Sequence, residues 1–330
     1  MAWVAYSEGR CTTMIAEHRL TLTGPGAGAG RPTPEAAGDV LRLIDPLVHE
    51  AVSAGFRRPG HTRGRKPDWL RAACDVRYIG ISAGPRDATI LYFAAPRFGD
   101  AAKEVYEQLE LFPLRPHAND TGFDLLGDAL GDIGNQEKDS ERFDQRLLRS
   151  VGLFKTLSVK HGLDGVFLDG DRISPDNPRV LNAQIADFAG ALYRQTPAPR
   201  RARIAGKLDM IRDSDNVFVL LLDDGSQIRG VWAGGEMKEL GTYFGQYVLV
   251  EGKALFKPSG SVLRVEADAM APGTQTDRFF SVPPKPTGAQ FDLTRLRQPQ
   301  RAGTGVGAIF GKWPGDETEE ELLAALKEMG

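Results

Sequence analysis

Cysteine is scarce. Only Cys11 and Cys74 occur in 330 residues, so a disulfide framework is excluded and one chain cannot supply a four-thiolate zinc site. Two free thiols suit a reducing compartment. Histidine is nearly as rare, with 5 copies, which leaves few imidazoles for acid–base chemistry. No apolar run reaches the roughly 18 residues of a membrane span. The opening MAWVAYSEGRCTTM lacks a basic segment followed by a long apolar stretch, so a secretory signal is not expected. A cytoplasmic protein without membrane contact follows. Neither charge dominates: 41 Lys and Arg stand against 44 Asp and Glu. That balance excludes coating of nucleic acid through bulk charge and leaves only local patches. Complete catalytic motifs are missing too. GPGAGAGRP at 24–32 has no Lys-Ser or Lys-Thr pair to close a phosphate loop, and G-x-S-x-G is absent.

What is present is an apolar share of 41% with 38 Gly and 21 Pro, enough for a sizeable core cut by many turns. The length fits about two domains at roughly 150 residues each. In the N-terminal part Leu20 and Leu22 mark a strand. Thr33 and Pro34 read as the cap and first residue of a helix. Its buried stripe is Val40, Ile44, Leu47, Val48 and Ala51, Pro46 is a potential kink, and Gly55 is the stop. Strands are expected at 76–82 and 88–95 around a Gly-Pro turn. A helix capped by Asp100 should run to Phe112. Phe143, Leu147, Val151, Phe154 and Leu157 predict one long amphipathic helix over 137–161. A short strand at 165–168 and a helix through Leu181, Ile185, Phe188 and Leu192 follow.

The pattern changes at QTPAPRR, 195–201. Beyond it lie five strand-like runs at 203–210, 216–222, 227–232, 246–256 and 261–267, with a brief helical connection after the third. Five short strands with that break predict a small closed barrel, OB-like or alternatively SH3-like, because closure removes exposed edges. The expected class is therefore α+β. A mixed domain at 1–196 is followed by the barrel at 201–271, a Pro- and Gly-rich linker or strap at 272–312, and a C-terminal amphipathic helix at 313–330. Lys207, Arg212, Arg229, Lys253, Lys257 and Arg264 are expected to place positive charge on the outside of the barrel.

Four groups of residues carry chemistry. Arg57, Arg58, Arg63, Arg65 and Lys66 surround Trp69, a combination that can hold phosphates and stack a base of single-stranded nucleic acid. In NDTGFDLLGDALGDIGN, Asp120, Asp124, Asp128 and Asp132 recur every four residues. On a helix they form one acidic stripe, and Asp120, Asp124 and Asp128 could then hold Mg²⁺ or Mn²⁺. His161, near Asp164 and Asp169, is the candidate base beside them. At the end of the chain, Thr318 and Glu321 form a capping-box pattern ahead of Leu322, Leu323 and Leu326. With Trp313 these make an apolar face that suits a protein partner.

The run FGKWPGDETEEELLAAL at the end of the chain resembles a tail of some bacterial antitoxin-like and defence-associated proteins. It covers under a tenth of the sequence, and it implies a bacterial protein whose tail docks on a partner. The main body shows no family resemblance. The expected function is thus a non-catalytic binding or adaptor protein, a nucleic-acid-associated component of a bacterial complex, with no cofactor. A divalent-metal-dependent phosphoesterase or nuclease and a purely structural subunit are the alternatives.

Overall fold

Apolar side chains alternate along HRLTLT, which suits a strand covered on one face. A computed structural model, describing residues 15–56, 68–107, 115–170, 172, 179–212, 216–235 and 237–287, forms this segment as β1 (Ile15–Thr23). Ala16, His18, Leu20 and Leu22 are buried on one face, and the side chains between them are more open. The Thr33 hydroxyl accepts the Ala36 amide and starts α1 (Pro34–Gly55), which continues through Pro46. Val40, Ile44, Leu47, Val48 and Ala51 are all buried along it. After α2 (Asp68–Ala73) come the paired strands β2 (Arg77–Ala83) and β3 (Thr89–Pro96).

Two expected helices are replaced by shorter ones. The segment after β3 folds as the single turns α3 (Phe98–Ala101) and α4 (Lys103–Tyr106), with Arg97 rather than Asp100 at the first cap. The expected long helix is also divided. After α5 (Gly122–Gly134), residues 135–144 form turns. Asp144 then starts α6 (Gln145–Gly152), its carboxylate accepting the amides of Arg146 and Leu147. A break at Leu153 separates α6 from α7 (Phe154–His161). A side chain that satisfies orphan amides marks a helix start, which the apolar period could not reveal.

The chain then adds β4 (Gly165–Asp169), β5 (Arg179–Asn182) and α8 (Ala183–Gln195). Leu181 lies on β5, ahead of that last helix. The sheet order is β2-β3-β1-β4-β5, with every pair antiparallel. Leu20, Leu22, Leu91, Phe93, Val166 and Leu168 of the sheet share one buried cluster with Leu47, Leu126, Leu130, Leu147, Val151 and Leu192 of the helices. Each fully buried side chain of this size contributes about 1.5–3 kcal/mol through area removed from water.

The second half is built on period two. β6 (Arg200–Arg212), β7 (Val217–Leu221), β8 (Gln227–Trp232), β9 (Tyr247–Phe256) and β10 (Val262–Pro272) form a closed barrel in the order β10-β8-β7-β6-β9. The short helix α9 (Met237–Leu240) sits between the third and fourth strands. The third and fifth strands close the barrel in parallel, through Val265↔Gly230, Glu266↔Val231 and Ala267↔Trp232. This is the OB-like arrangement rather than the SH3-like one. Ile204, Leu208, Phe218, Leu220, Ile228, Val248, Val250, Phe256 and Val265 fill its interior. Gly230 is needed there. It lies opposite Phe218 in the β7–β8 ladder, and a Cβ on it would stand 2.0 Å from Phe218 Cζ. Among the described residues no helix is long and apolar enough to cross a membrane.

Candidate functional site

The acidic stripe forms only in part, with Asp124, Asp128 and Asp132 on α5. α5 begins only at Gly122, so Asp120 precedes it. Its carboxylate accepts the His117 amide at 3.0 Å and pairs with Arg172, which lies 3.6 Å from Asp128. Asp124 turns back into a capping box with Thr121, accepting the Thr121 amide and hydroxyl, each at 2.8 Å. Asp132 is held by Arg142 at 2.9 Å and Ser140 at 2.6 Å. Asp120, Asp124 and Asp132 are thus each held by a neighbouring donor, and Arg172 is shared between Asp120 and Asp128. Among the described residues no group of three or more His, Cys, Asp and Glu is placed to hold a metal ion, which argues against the nuclease alternative.

His161 is not the partner of Asp164 or Asp169. Its Nε2 lies 2.9 Å from Asp39 of α1, and Lys160 reaches Asp39 at 2.8 Å and Glu35 at 2.7 Å. Hydrogen bonds from Lys160 and His161 lower the Asp39 carboxyl to about 2. The group ties the end of α7 to α1. A different histidine has a more suggestive setting. His18 Nε2 lies 2.9 Å from Thr121 Oγ1, which donates to Asp124. Since the hydroxyl proton goes to Asp124, Oγ1 accepts from His18. A nucleophile needs the reverse polarity. Thr121 is also only 1% exposed, so this chain braces the start of α5 against β1.

Of the basic-aromatic group, Arg57, Arg58, Arg63, Arg65 and Lys66 lie outside the described residues. Trp69 is buried on α2, its ring 5.1 Å from that of Phe56. It belongs to the core and offers no free face for a base. Trp313, Leu322, Leu323 and Leu326 lie outside the described residues as well.

The barrel's cations do not simply line its outside. The acidic segment ahead of α6 lies against them. Asp139 accepts hydrogen bonds from Ser259 at 2.6 Å and Ser261 at 3.1 Å, which hold its carboxyl below the ordinary range. Glu141 pairs with Arg229 at 2.9 Å and Lys257 at 3.4 Å, and Asp144 pairs with Arg264 at 3.1 Å. Arg212 is buried, and of the six expected cations Lys207 and Lys253 remain exposed.

A cavity of about 300 Å³ opens beside this junction. Arg146 and Arg149 reach it from one face of α6, three residues apart. Lys253 and Leu255 reach it from β9, on the side opposite the buried Val248, Val250 and Ala254. Arg264 and Glu266 do the same from β10, and Tyr193, Pro197 and Pro199 complete the wall. Arg264 points out of the barrel yet is only 3% exposed. Its Nη2 lies 3.1 Å from Asp144 and 3.7 Å from Glu266, while its Nε has no acceptor. Arg146 Nη2 is likewise buried without an acceptor. Such a donor costs roughly 1–3 kcal/mol when left unpaired. Four cations face two carboxylates here, Asp144 and Glu266, so the wall carries two net positive charges. Glu50 of α1 is a nearby acid. Burial pushes its carboxyl up, opposed by a hydrogen bond from Ser150 and the charges of Arg146 and Arg149.

A second cavity, about 320 Å³, is bounded by Arg115, Arg142 and Arg172 and by Asp120, Asp128 and Glu141. Its charges cancel, and Arg142 and Arg172 are engaged by carboxylates. The cationic cleft is therefore the better candidate for a binding site. Its residues were not apparent as a group in the sequence. The three-residue spacing of Arg146 and Arg149 and the outward phase of Lys253 were available signals, but only the fold brings them together. Comparison with family models, curated proteins and solved structures finds no match to this chain.

Proposed function

We propose that this chain is a non-catalytic binding or adaptor protein that takes an anionic ligand in the cleft between α6 and the barrel, with single-stranded nucleic acid as the candidate polymer. One observation carries the reading: a concave wall with an excess of cations, two of whose buried guanidinium N–H groups lack acceptors. Buried polar groups normally find partners, but the hydrogen-bonding capacity of these arginines is not used up within the protein, and the cation excess draws an oxyanion to the wall. Arginine suits the task because its planar fork matches phosphate and carboxylate oxygens. The absence of a metal-holding group among the described residues favours binding over phosphoester hydrolysis.

The test is binding of mixed-sequence single-stranded DNA and RNA at low and moderate salt. Binding should weaken with salt through counterion release. Arg149→Glu and Lys253→Glu should each weaken it about tenfold, the equivalent of roughly 1.4 kcal/mol. No binding at low salt, or binding indifferent to both variants, would remove the proposal. The partner surface assigned to Trp313, Leu322, Leu323 and Leu326 belongs to the same adaptor reading. Pull-down with and without 313–330 tests it, and an unchanged partner set counts against it.

A further inference from the structure

The cleft's charge and size narrow its ligand further, and the argument rests on the anion-binding reading above. A phosphodiester within a strand carries one negative charge and needs a path for chain to enter and leave. A phosphate monoester carries about −1.5 to −2 at neutral pH and three strong acceptor oxygens. The wall's two net positive charges match the monoester. Arg264 and Arg146, which line the cavity, also keep buried N–H groups without acceptors, so their hydrogen-bonding capacity is not used up within the protein. Volume gives an independent constraint. Ligand pockets run from about 300 to 1,000 Å³, so 300 Å³ is the scale of one nucleotide-sized unit, free or at the end of a strand. Besides its charged residues and Gln145 the wall offers Tyr193, Pro199, Leu255 and Leu263, which suits a ring or other flat body attached to the phosphate.

We infer that the cleft is a receptor for a phosphate monoester carrying a small, partly apolar body, with Arg146, Arg149, Lys253 and Arg264 holding the phosphate. Two sources share this chemistry: a free mononucleotide-sized metabolite and the phosphorylated end of an oligonucleotide. Asp144 and Glu266 stay in place as partners of Arg264, keeping its guanidinium oriented.

Calorimetric titration of the full chain with adenosine monophosphate, adenosine, inorganic phosphate, and a short oligothymidine with and without a terminal phosphate tests the inference. Adenosine monophosphate should bind at least about tenfold tighter than adenosine. The end-phosphorylated oligonucleotide should likewise exceed its hydroxyl-ended form. A phosphorylated oligonucleotide tighter than the mononucleotide identifies a strand end as the source, and equal affinities identify a small metabolite. Lys253→Glu, at an exposed position, should cost about tenfold in either case, and Arg149→Ser provides a second variant that spares the buried pair. If the terminal phosphate changes nothing while both variants still weaken oligonucleotide binding, the monoester inference fails and the general anion-binding reading stands. If none of these anions binds, or binding ignores both variants, both readings fail.

Discussion

Gly230→Ala offers a demanding test of the barrel's interior. The added Cβ would stand 2.0 Å from Phe218 Cζ and within 2.6 Å of both Cε atoms. Ordinary contact begins near 3.4 Å, so the ring must retreat by about 1.4 Å, the difference of those two distances. Phe218 is 0% exposed and packed within the barrel, which leaves it no open direction. Overpacking of this kind costs typically 1–3 kcal/mol, and the depth of the overlap puts Gly230→Ala at about 3 kcal/mol. Phe218→Leu alone should cost about 1–2 kcal/mol, as a core substitution that loses volume. In the double variant the smaller side chain vacates the space the methyl needs. Its loss should fall short of the summed single losses by at least about 1 kcal/mol. Urea denaturation followed by circular dichroism and by tryptophan fluorescence measures all three, with agreement of the probes as the check on two-state behaviour. Independent sites add to within about 0.5 kcal/mol. Additivity in this pair, or a Gly230→Ala protein as stable as the parent, would refute the claim that the ring occupies the space over this glycine.

Three further outcomes are expected. Arg264→Met should lower stability by about 3 kcal/mol in the same urea assay, since it leaves Asp144 and Glu266 facing one another without their cation. Asp39 is depressed to about 2 by Lys160 and His161, so its contribution is present above the ordinary carboxylate range and lost as pH falls through about 2. Asp39→Asn should therefore melt earlier than the parent at neutral pH, with the gap in Tm closing in strong acid. Glu50 has the opposite sign, because burial raises its carboxyl. Its ionisation costs stability as pH rises through the folded-state value, so Glu50→Gln should melt later than the parent at neutral pH and equally in acid.

Where a local period decides the outcome, the sequence was readable. The Leu20–Leu22 alternation, the Thr33 cap and the barrel strands all follow from side-chain spacing and turn residues. What was not readable depends on which polar partner a side chain finds. Asp124 has the spacing of a helical stripe but spends its carboxylate on Thr121. Asp144 interrupts an apolar period that otherwise runs smoothly from Phe143 to Leu157. Arg229, Lys257 and Arg264 look like surface cations until the acidic segment ahead of α6 is laid beside them. The cleft lay beyond reach for the same reason, since α6, β9 and β10 meet only through tertiary packing.

The parallel contact that completes the barrel spans three register pairs, whereas β6 and β9 share eight. That makes this seam the natural last step of assembly and the first to part. The amides that bond between β8 and β10 should exchange faster than those of the β6–β9 ladder. A transient opening there would leave β10 held by its antiparallel ladder with β9 alone, the ladder that carries Arg264 and Glu266 at the mouth of the cleft.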